Sequence, residues 1–359
     1  MRRLLLTLLV GATAAQADLE TITVSPDGSH FVRAVSHTRF RVWGLNYDHD
    51  RSGRLLEEYW YEEWPTVAED FEEMKTLGAN VVRIHLQVEA FMDSADKPRQ
   101  AALDQLARLV SLAEQTGLYL DLTGLGCYHK QDVPAWYDAA GESKRWAVQA
   151  RFWEAVAKTC AASPAIFCYD LMNEPILPGK KTETEWLAGE FAGKYFVQRI
   201  ALDLAGRTRE GVAKAWVDML VGAIRRQDAH HLITVGAIPW AHHFPKAKPI
   251  FYGNDVGANL DFVSVHFYPK SGAIDQALAA LSLYKLKRPL VIEEIFPLKC
   301  SMAELDAFIA ASRDTVDGYI SFYWGQTIEE FREEKQDMAG ARTKAWLEYF
   351  RTHAPAMSP

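Results

Sequence analysis

Eight short apolar runs alternate with stretches of helical periodicity along nearly the whole chain, and that alternation leaves few folds open. The runs fall at 41–46, 80–85, 119–123, 166–173, 232–236, 262–266, 290–294 and 318–324. Most are apolar without interruption, as strands covered on both faces should be. Between them Val67, Phe71, Met74 and Leu77 recur at steps of four and three, which makes one apolar helical stripe. Leu103, Leu106, Val110 and Ala113 repeat the pattern, as do Trp146, Ala150, Trp153 and Val156. Val212, Trp216, Met219 and Ala223 mark another helix, and Leu305, Phe308 and Ser312 a later one. Gly78 and Gly117 stand where the first two helices should stop. Eight strand–helix repeats without a Pro/Ser-rich linker predict one α/β domain, a (β/α)8 TIM barrel. An open doubly wound sheet would place a Gly-rich phosphate turn after its first strand. Here that strand runs into Gly44-Leu45-Asn46-Tyr47-Asp48, which is no such turn.

Two segments precede the barrel. Arg2 and Arg3, a short apolar run from Leu4 to Val10, and Ala15-Gln16-Ala17 predict a signal peptide over 1–17, leaving a domain of 18–359. Seven apolar residues are too few to span a bilayer, so the expected location is secreted or periplasmic, without stable membrane insertion after cleavage. Next, residues 21–24 and 30–33 flank the turn Ser25-Pro26-Asp27-Gly28, which predicts an N-terminal β-hairpin. With 39 Lys+Arg against 47 Asp+Glu the net charge is −8, a balance that repels phosphate backbones and argues against a nucleic-acid partner. Cys127, Cys160, Cys168 and Cys300 match no zinc spacing, and their pairing is open among three connectivities. The oligomeric state is likewise open.

Active sites of such barrels collect at the C-terminal ends of the strands. Read in order, those ends carry Asn46 and Tyr47, Arg83 and His85, Asn173 and Glu174, His266 and Tyr268, Glu293 and Glu294, and Trp324. Burying so many polar groups costs free energy unless they are used or paired. Glu174 at the fourth strand and Glu294 at the seventh converge across the mouth. Two carboxyl groups facing one cleft are what glycoside hydrolysis requires, one as proton donor and one as nucleophile or base.

Asn173-Glu174-Pro175, with Glu294 on the seventh strand, resembles the clan A glycoside hydrolases, and most nearly family 5, the cellulase and mannanase family. Gly44-Leu45-Asn46-Tyr47, Arg83, His266-Phe267-Tyr268 and Trp324 fit the same pattern, in register from Arg41 to Trp324. The resemblance implies a retaining mechanism with Glu174 as acid/base and Glu294 as nucleophile. It further implies that Asn173 holds the sugar 2-hydroxyl, that Arg83 and Tyr268 flank the nucleophile, and that Trp324 floors the subsite where the sugar distorts. Asn46 and His266 would complete the substrate contacts.

Two departures stand out. The His often found at the end of the third strand is missing, and whether His129, five residues past Gly124, fills its role is open. At the seventh strand Glu293 replaces a small residue. Neighbouring strand residues alternate, so Glu293 is expected to point away from the mouth and its loss to spare activity.

Among the loop aromatics, Trp240 just past the fifth strand is the best candidate for stacking on a sugar face. Trp60, Trp64, Trp136 and Trp186 read as local packing. Asp48-His49-Asp50, His230-His231 and His242-His243 complete no ligand cluster, so neither a metal nor a cofactor is expected. The long stretch 176–207 is either a wall of the substrate groove or a short helix on the rim. The expected activity is an exported retaining β-glycosidase cleaving a β-1,4-linked glucan or mannan. Exo-action on oligosaccharides and a catalytically silent carbohydrate-binding barrel are the alternatives.

Overall fold

The computed structural model describes residues 19–253, 255–333 and 337–357, so the segment 1–17 lies outside the described residues. The eight strands form a parallel barrel. They are β1 Val42–Asn46, β2 Val81–Gln87, β3 Tyr119–Gly126, β4 Ile166–Asp170, β5 in two pieces (Leu232–Thr234 and Gly236–Ala237), β6 Val263–His266, β7 Leu290–Ile295 and β8 Gly318–Ser321. Neighbours pair in chain order, and β8 returns to β1 with Gly318 opposite Val42. β5 closes the ring by changing partner at Val235. Leu232 pairs with Cys168 of β4, and Gly236 pairs with Ser264 of β6.

Every residue of β1 to β4 is buried, because helices cover the barrel outside while side chains fill it inside. The covering helices include Trp64–Thr76, Gln100–Thr116, Glu142–Cys160 and Arg209–Arg225. They follow the periodic stripes, with Val67, Phe71 and Met74 inward on the first. Gly117 ends the second in the left-handed region at φ 68°, where a side chain would be strained. The four cysteines are unpaired, three of them buried.

The N-terminal hairpin forms as expected, Ile22–Val24 against Phe31–Arg33, and gains a third strand at Arg39–Phe40. It closes the bottom of the barrel. Phe31 meets Phe167 and Phe262 edge-on, each with ring centroids 5.2 Å apart.

The stretch after β4 is neither bare loop nor helix. Leu187–Phe191 and Lys194–Arg199 pair as a hairpin around Ala192-Gly193, both at positive φ, and Pro175–Ile176 adds a short parallel strand. Two consecutive positive φ values make the tight turn that matches strand twist. Gln198 Nε2 donates to Leu125 O at 2.7 Å and Tyr195 N to Tyr128 O at 2.9 Å, tethering the hairpin to the end of β3.

Candidate active site

A cleft of about 480 Å³ opens at the C-terminal ends of the strands, a size typical of small-ligand sites. Asn46, Asn173, Glu174, Trp240, His266, Tyr268 and Glu294 line it, and Arg83 lies directly beneath.

Arg83 organises the floor. Its Nη1 donates to Glu294 Oε1 at 2.8 Å and to Asn46 Oδ1 at 3.1 Å. Its Nη2 donates to Asp170 Oδ2 and Asn173 Oδ1, both at 2.9 Å. The planar fork thus ties β1, β2, β4 and β7 together, a task suited to arginine rather than lysine. Burial opposes the guanidinium charge, but Glu293, Asp170 and Glu294 outweigh it and keep the group charged.

Glu294 is fixed on its other side by Tyr268, whose hydroxyl donates to Oε2 at 2.6 Å. Glu174 stands opposite on a residue of positive φ, 46°, with its amide donating to Gly236 O at 2.8 Å. A non-glycine residue there is strained, and such strain collects at functional sites. Between the two carboxyl groups lies His266. Its Nδ1 is 3.0 Å from Glu174 Oε1 and 3.4 Å from Glu294 Oε2, and its Nε2 is 3.3 Å from Glu293 Oε2. Burial disfavours the charged ring, yet Glu294, Glu174 and Glu293 together push its pKa up to about 10. Asn46 Oδ1 also accepts from His85 Nε2 at 2.9 Å, which leaves His85 Nδ1 to accept from Tyr128 OH. Burial, then Arg83, hold His85 well below the ordinary histidine range, so this ring is neutral.

Two expectations need correction. Trp324 does not reach the cleft. β8 ends at Ser321, the chain bends, and Phe322 lines the cleft instead, edge-on to Tyr268. Trp324 is buried outside the barrel beside Glu69, Glu73 and Leu77. The alternation assumed for Glu293 also fails. Val265 pairs with Ile292 but His266 pairs with Glu294, and on the other flank Ile292 opposes Tyr319 while Ile295 opposes Ser321. β7 therefore carries one extra residue, a bulge that turns both glutamates inward. Glu293 points into the barrel below the mouth, fully buried. The question left open for His129 is answered by its position: it lies apart from the cleft lining, its Nε2 3.9 Å from Glu58.

Sequence reasoning passed over Asp121 and Asp170, which project beneath the cleft from β3 and β4. Asp170 accepts from Thr123 Oγ1 at 2.9 Å and from Gly236 N at 2.6 Å. Burial and Glu293 raise its pKa to about 6. A charged residue inside each apolar run, Leu120-Asp121-Leu122 and Tyr169-Asp170-Leu171, was the available signal. The hairpin side chains Phe191, Phe196 and Val197, with Phe244 and Lys299, also line the cleft unannounced.

A barrel whose mouth sets two carboxyl groups against a shared imidazolium and guanidinium has the equipment of a glycoside hydrolase. Residues 36–350 match the cellulase family, glycosyl hydrolase family 5, and the chain belongs to that family. The fold is similar to an exo-β-1,4-mannosidase from Opitutaceae bacterium strain TAV5, with TM-score 0.68 and 19% identity over 94% of this chain and 62% of that one. The catalytic domain of Thermobifida fusca endoglucanase Cel5A gives TM-score 0.60 and 14% identity, covering 93% of this chain and 97% of that one. The endo-1,4-β-mannanase of Rhizomucor miehei gives 0.60 and 15%, covering 94% and 99%. In sequence, mannan endo-1,4-β-mannosidase 5 of Arabidopsis thaliana is 28% identical over 119 residues, 30% of this chain and 21% of that protein.

Proposed function

We propose that the protein is an exported retaining β-glycosidase acting on a β-1,4-linked mannan or glucan, with Glu294 as nucleophile and Glu174 as acid/base. The observation that carries this reading is the approach of the two groups. Carboxylate oxygens of Glu174 and Glu294 and a ring nitrogen of His266 lie within 4.8 Å of one another. A retaining pair needs carboxyl groups about 5–5.5 Å apart, whereas an inverting pair leaves room for a water at about 6.5–9.5 Å. The same trio is, among the described residues, the one group of His and carboxylate atoms close enough for a metal ion. An imidazolium has no lone pair to offer a metal, which favours the acid–base reading.

In the first step Glu294 attacks the anomeric carbon and the bond to the leaving oxygen breaks as Glu174 delivers its proton there. In the second, Glu174 takes a proton from water, which displaces Glu294. The leaving group therefore lies on the Glu174 side of a cleft whose lining includes the aromatic rings of Phe191, Phe196, Trp240 and Phe244. The printed names of the mannanase relatives support mannan as the first substrate to try. Export rests on the Arg2-Arg3 start and the apolar run behind it.

Proton NMR of the first product released from β-1,4-manno- and gluco-oligosaccharides tests the assignment. The expected anomer is the β form, and an α first product would overturn retention. Trp240→Ala should raise KM for oligosaccharides by roughly tenfold, the worth of one stacking contact of about 1 kcal/mol or slightly more. For aryl glycosides, whose leaving group needs no protonation, kcat should change little. An unchanged oligosaccharide KM would remove Trp240 from the site.

A further inference from the structure

Below the cleft, Asp121 Oδ1 and Oδ2 and Glu293 Oε1 are buried oxygens without a hydrogen-bond donor in place; the Cys168 thiol, a weak donor, is the neutral group beside Asp121. Both residues are 0% exposed, and their carboxyl groups lie within hydrogen-bonding reach of each other. Two buried carboxylates in contact repel, and each would leave lone pairs unsatisfied. One proton between them turns that contact into an O–H···O⁻ bond, the strongest common class of hydrogen bond.

We propose that Glu293 is a positioning residue for hydrolysis at the Glu174–Glu294 pair, sharing one proton with Asp121 and using its other carboxyl oxygen to fix the His266 ring against both. The proposal rests on the reading of that pair given above. Glu293 Oε2 faces His266 Nε2 at 3.3 Å, so the opposite ring nitrogen, Nδ1, is aimed between Glu174 and Glu294. During glycosylation Glu294 becomes an ester and loses its negative charge, while Glu174 gives its proton to the leaving oxygen and gains one. The charge moves from one neighbour of Nδ1 to the other, and a ring held in place can donate to either without turning. Gly236 leaves the room for this arrangement. A Cβ there would collide with Glu293 Oε2 and stand 2.9 Å from His266 Nε2 and Asp170 Oδ2.

The groups facing Glu293 agree with one proton on the pair. They are Arg83 and His85 from β2, Asp121 from β3, Cys168 and Asp170 from β4, Tyr252 from beyond β5, His266 from β6 and Glu294 on its own strand. Burial, then Glu293, push Asp121 well above the usual carboxyl range, so Asp121 carries the proton. Burial also works against charge on Glu293, but Arg83 and His266 outweigh it and keep Glu293 ionised.

The test is a ring-nitrogen NMR titration of His266 in the full-length protein, with Glu293→Gln as the isosteric uncharged variant. His266 gains stability from its charge below about 6.5 and loses it as pH rises through about 10. Removing one of the carboxylates that raise it should move that titration to lower pH by about one unit or more. The alkaline limb of kcat should move in the same direction. A titration unchanged from the parent protein would overturn the proposal, whatever the substrate, because it needs no turnover. Absence of β-glycosidase activity in the parent would instead overturn the function proposed above. Should Glu293→Gln fail to fold, Asp121→Asn gives a second reading, since its amide can donate to Glu293 as the acid does. Infrared difference spectra at pH 8 should show a protonated carboxyl band in the parent that Asp121→Asn removes, and no such band would refute the shared proton.

Discussion

Glu294→Ala removes turnover by on the order of 10⁵-fold, and azide restores it with a product of opposite configuration. The scale is that of deleting a nucleophile whose partners remain in place. Arg83 Nη1 and Tyr268 OH, which hold Glu294 at 2.8 and 2.6 Å, are left with a vacant site for an anion. A small anion bound there attacks the anomeric carbon directly while Glu174 still protonates the leaving oxygen. One displacement in place of two inverts the centre. Glu174→Ala differs: aryl glycosides with good leaving groups still form the ester, water no longer removes it efficiently, and azide gives a retained product. Proton NMR of the azide adducts separates the variants. Retention with Glu294→Ala, or inversion with Glu174→Ala, would exchange their roles.

Arg83→Met costs about 3–5 kcal/mol of stability, the range for removing one partner of a buried ion pair. The methionine fills the space, so the loss is electrostatic. Asp170 and Glu294 lose their closest cation, and Asn46 and Asn173 lose a donor. The cost depends on pH in a defined direction. Asp170 already has a pKa raised to about 6 with Arg83 present. Without the guanidinium it rises further, so the variant recovers part of its loss on acidification, as the carboxyl takes up a proton, and suffers most above that range. Urea unfolding at pH 5 and pH 8 measures this. An equal loss at both values would mean that Arg83 acts through packing rather than charge.

The barrel was readable because each strand is buried on both faces and so leaves an unbroken apolar run that needs no partner to be recognised. The strand ends were readable for the complementary reason: Asn46, Glu174, His266 and Glu294 break those runs where the chain reaches the mouth. The bulge in β7 was hidden, because it is a mismatch with the pairing of β6 and β8, and nothing local in Ile292-Glu293-Glu294-Ile295 announces it. Trp324 was misplaced by extending β8 beyond Ser321, when the apolar run continues past the last ladder bond. The hairpin over 187–199 had a local mark in Ala192-Gly193, but its flanks alternate weakly because most of its residues are half-buried or exposed. Asp121 and Asp170 were visible as charges within apolar runs. Only the three-dimensional arrangement shows that they face the same axis as Arg83.

The aromatic floor built from the N-terminal hairpin has a consequence for how the chain acquires its shape. Phe31 enters early in the sequence, yet its partners are Phe167 on β4 and Phe262 just before β6, and the same cluster includes Val291 and Ile320 from the last two strands. Contacts so distant along the chain form only after large loops have been closed, which slows folding and makes it all-or-none. A nascent chain still lacking β8 would hold the hairpin without its socket and expose those rings to neighbouring molecules. Completion of synthesis thus becomes the event that seals the barrel.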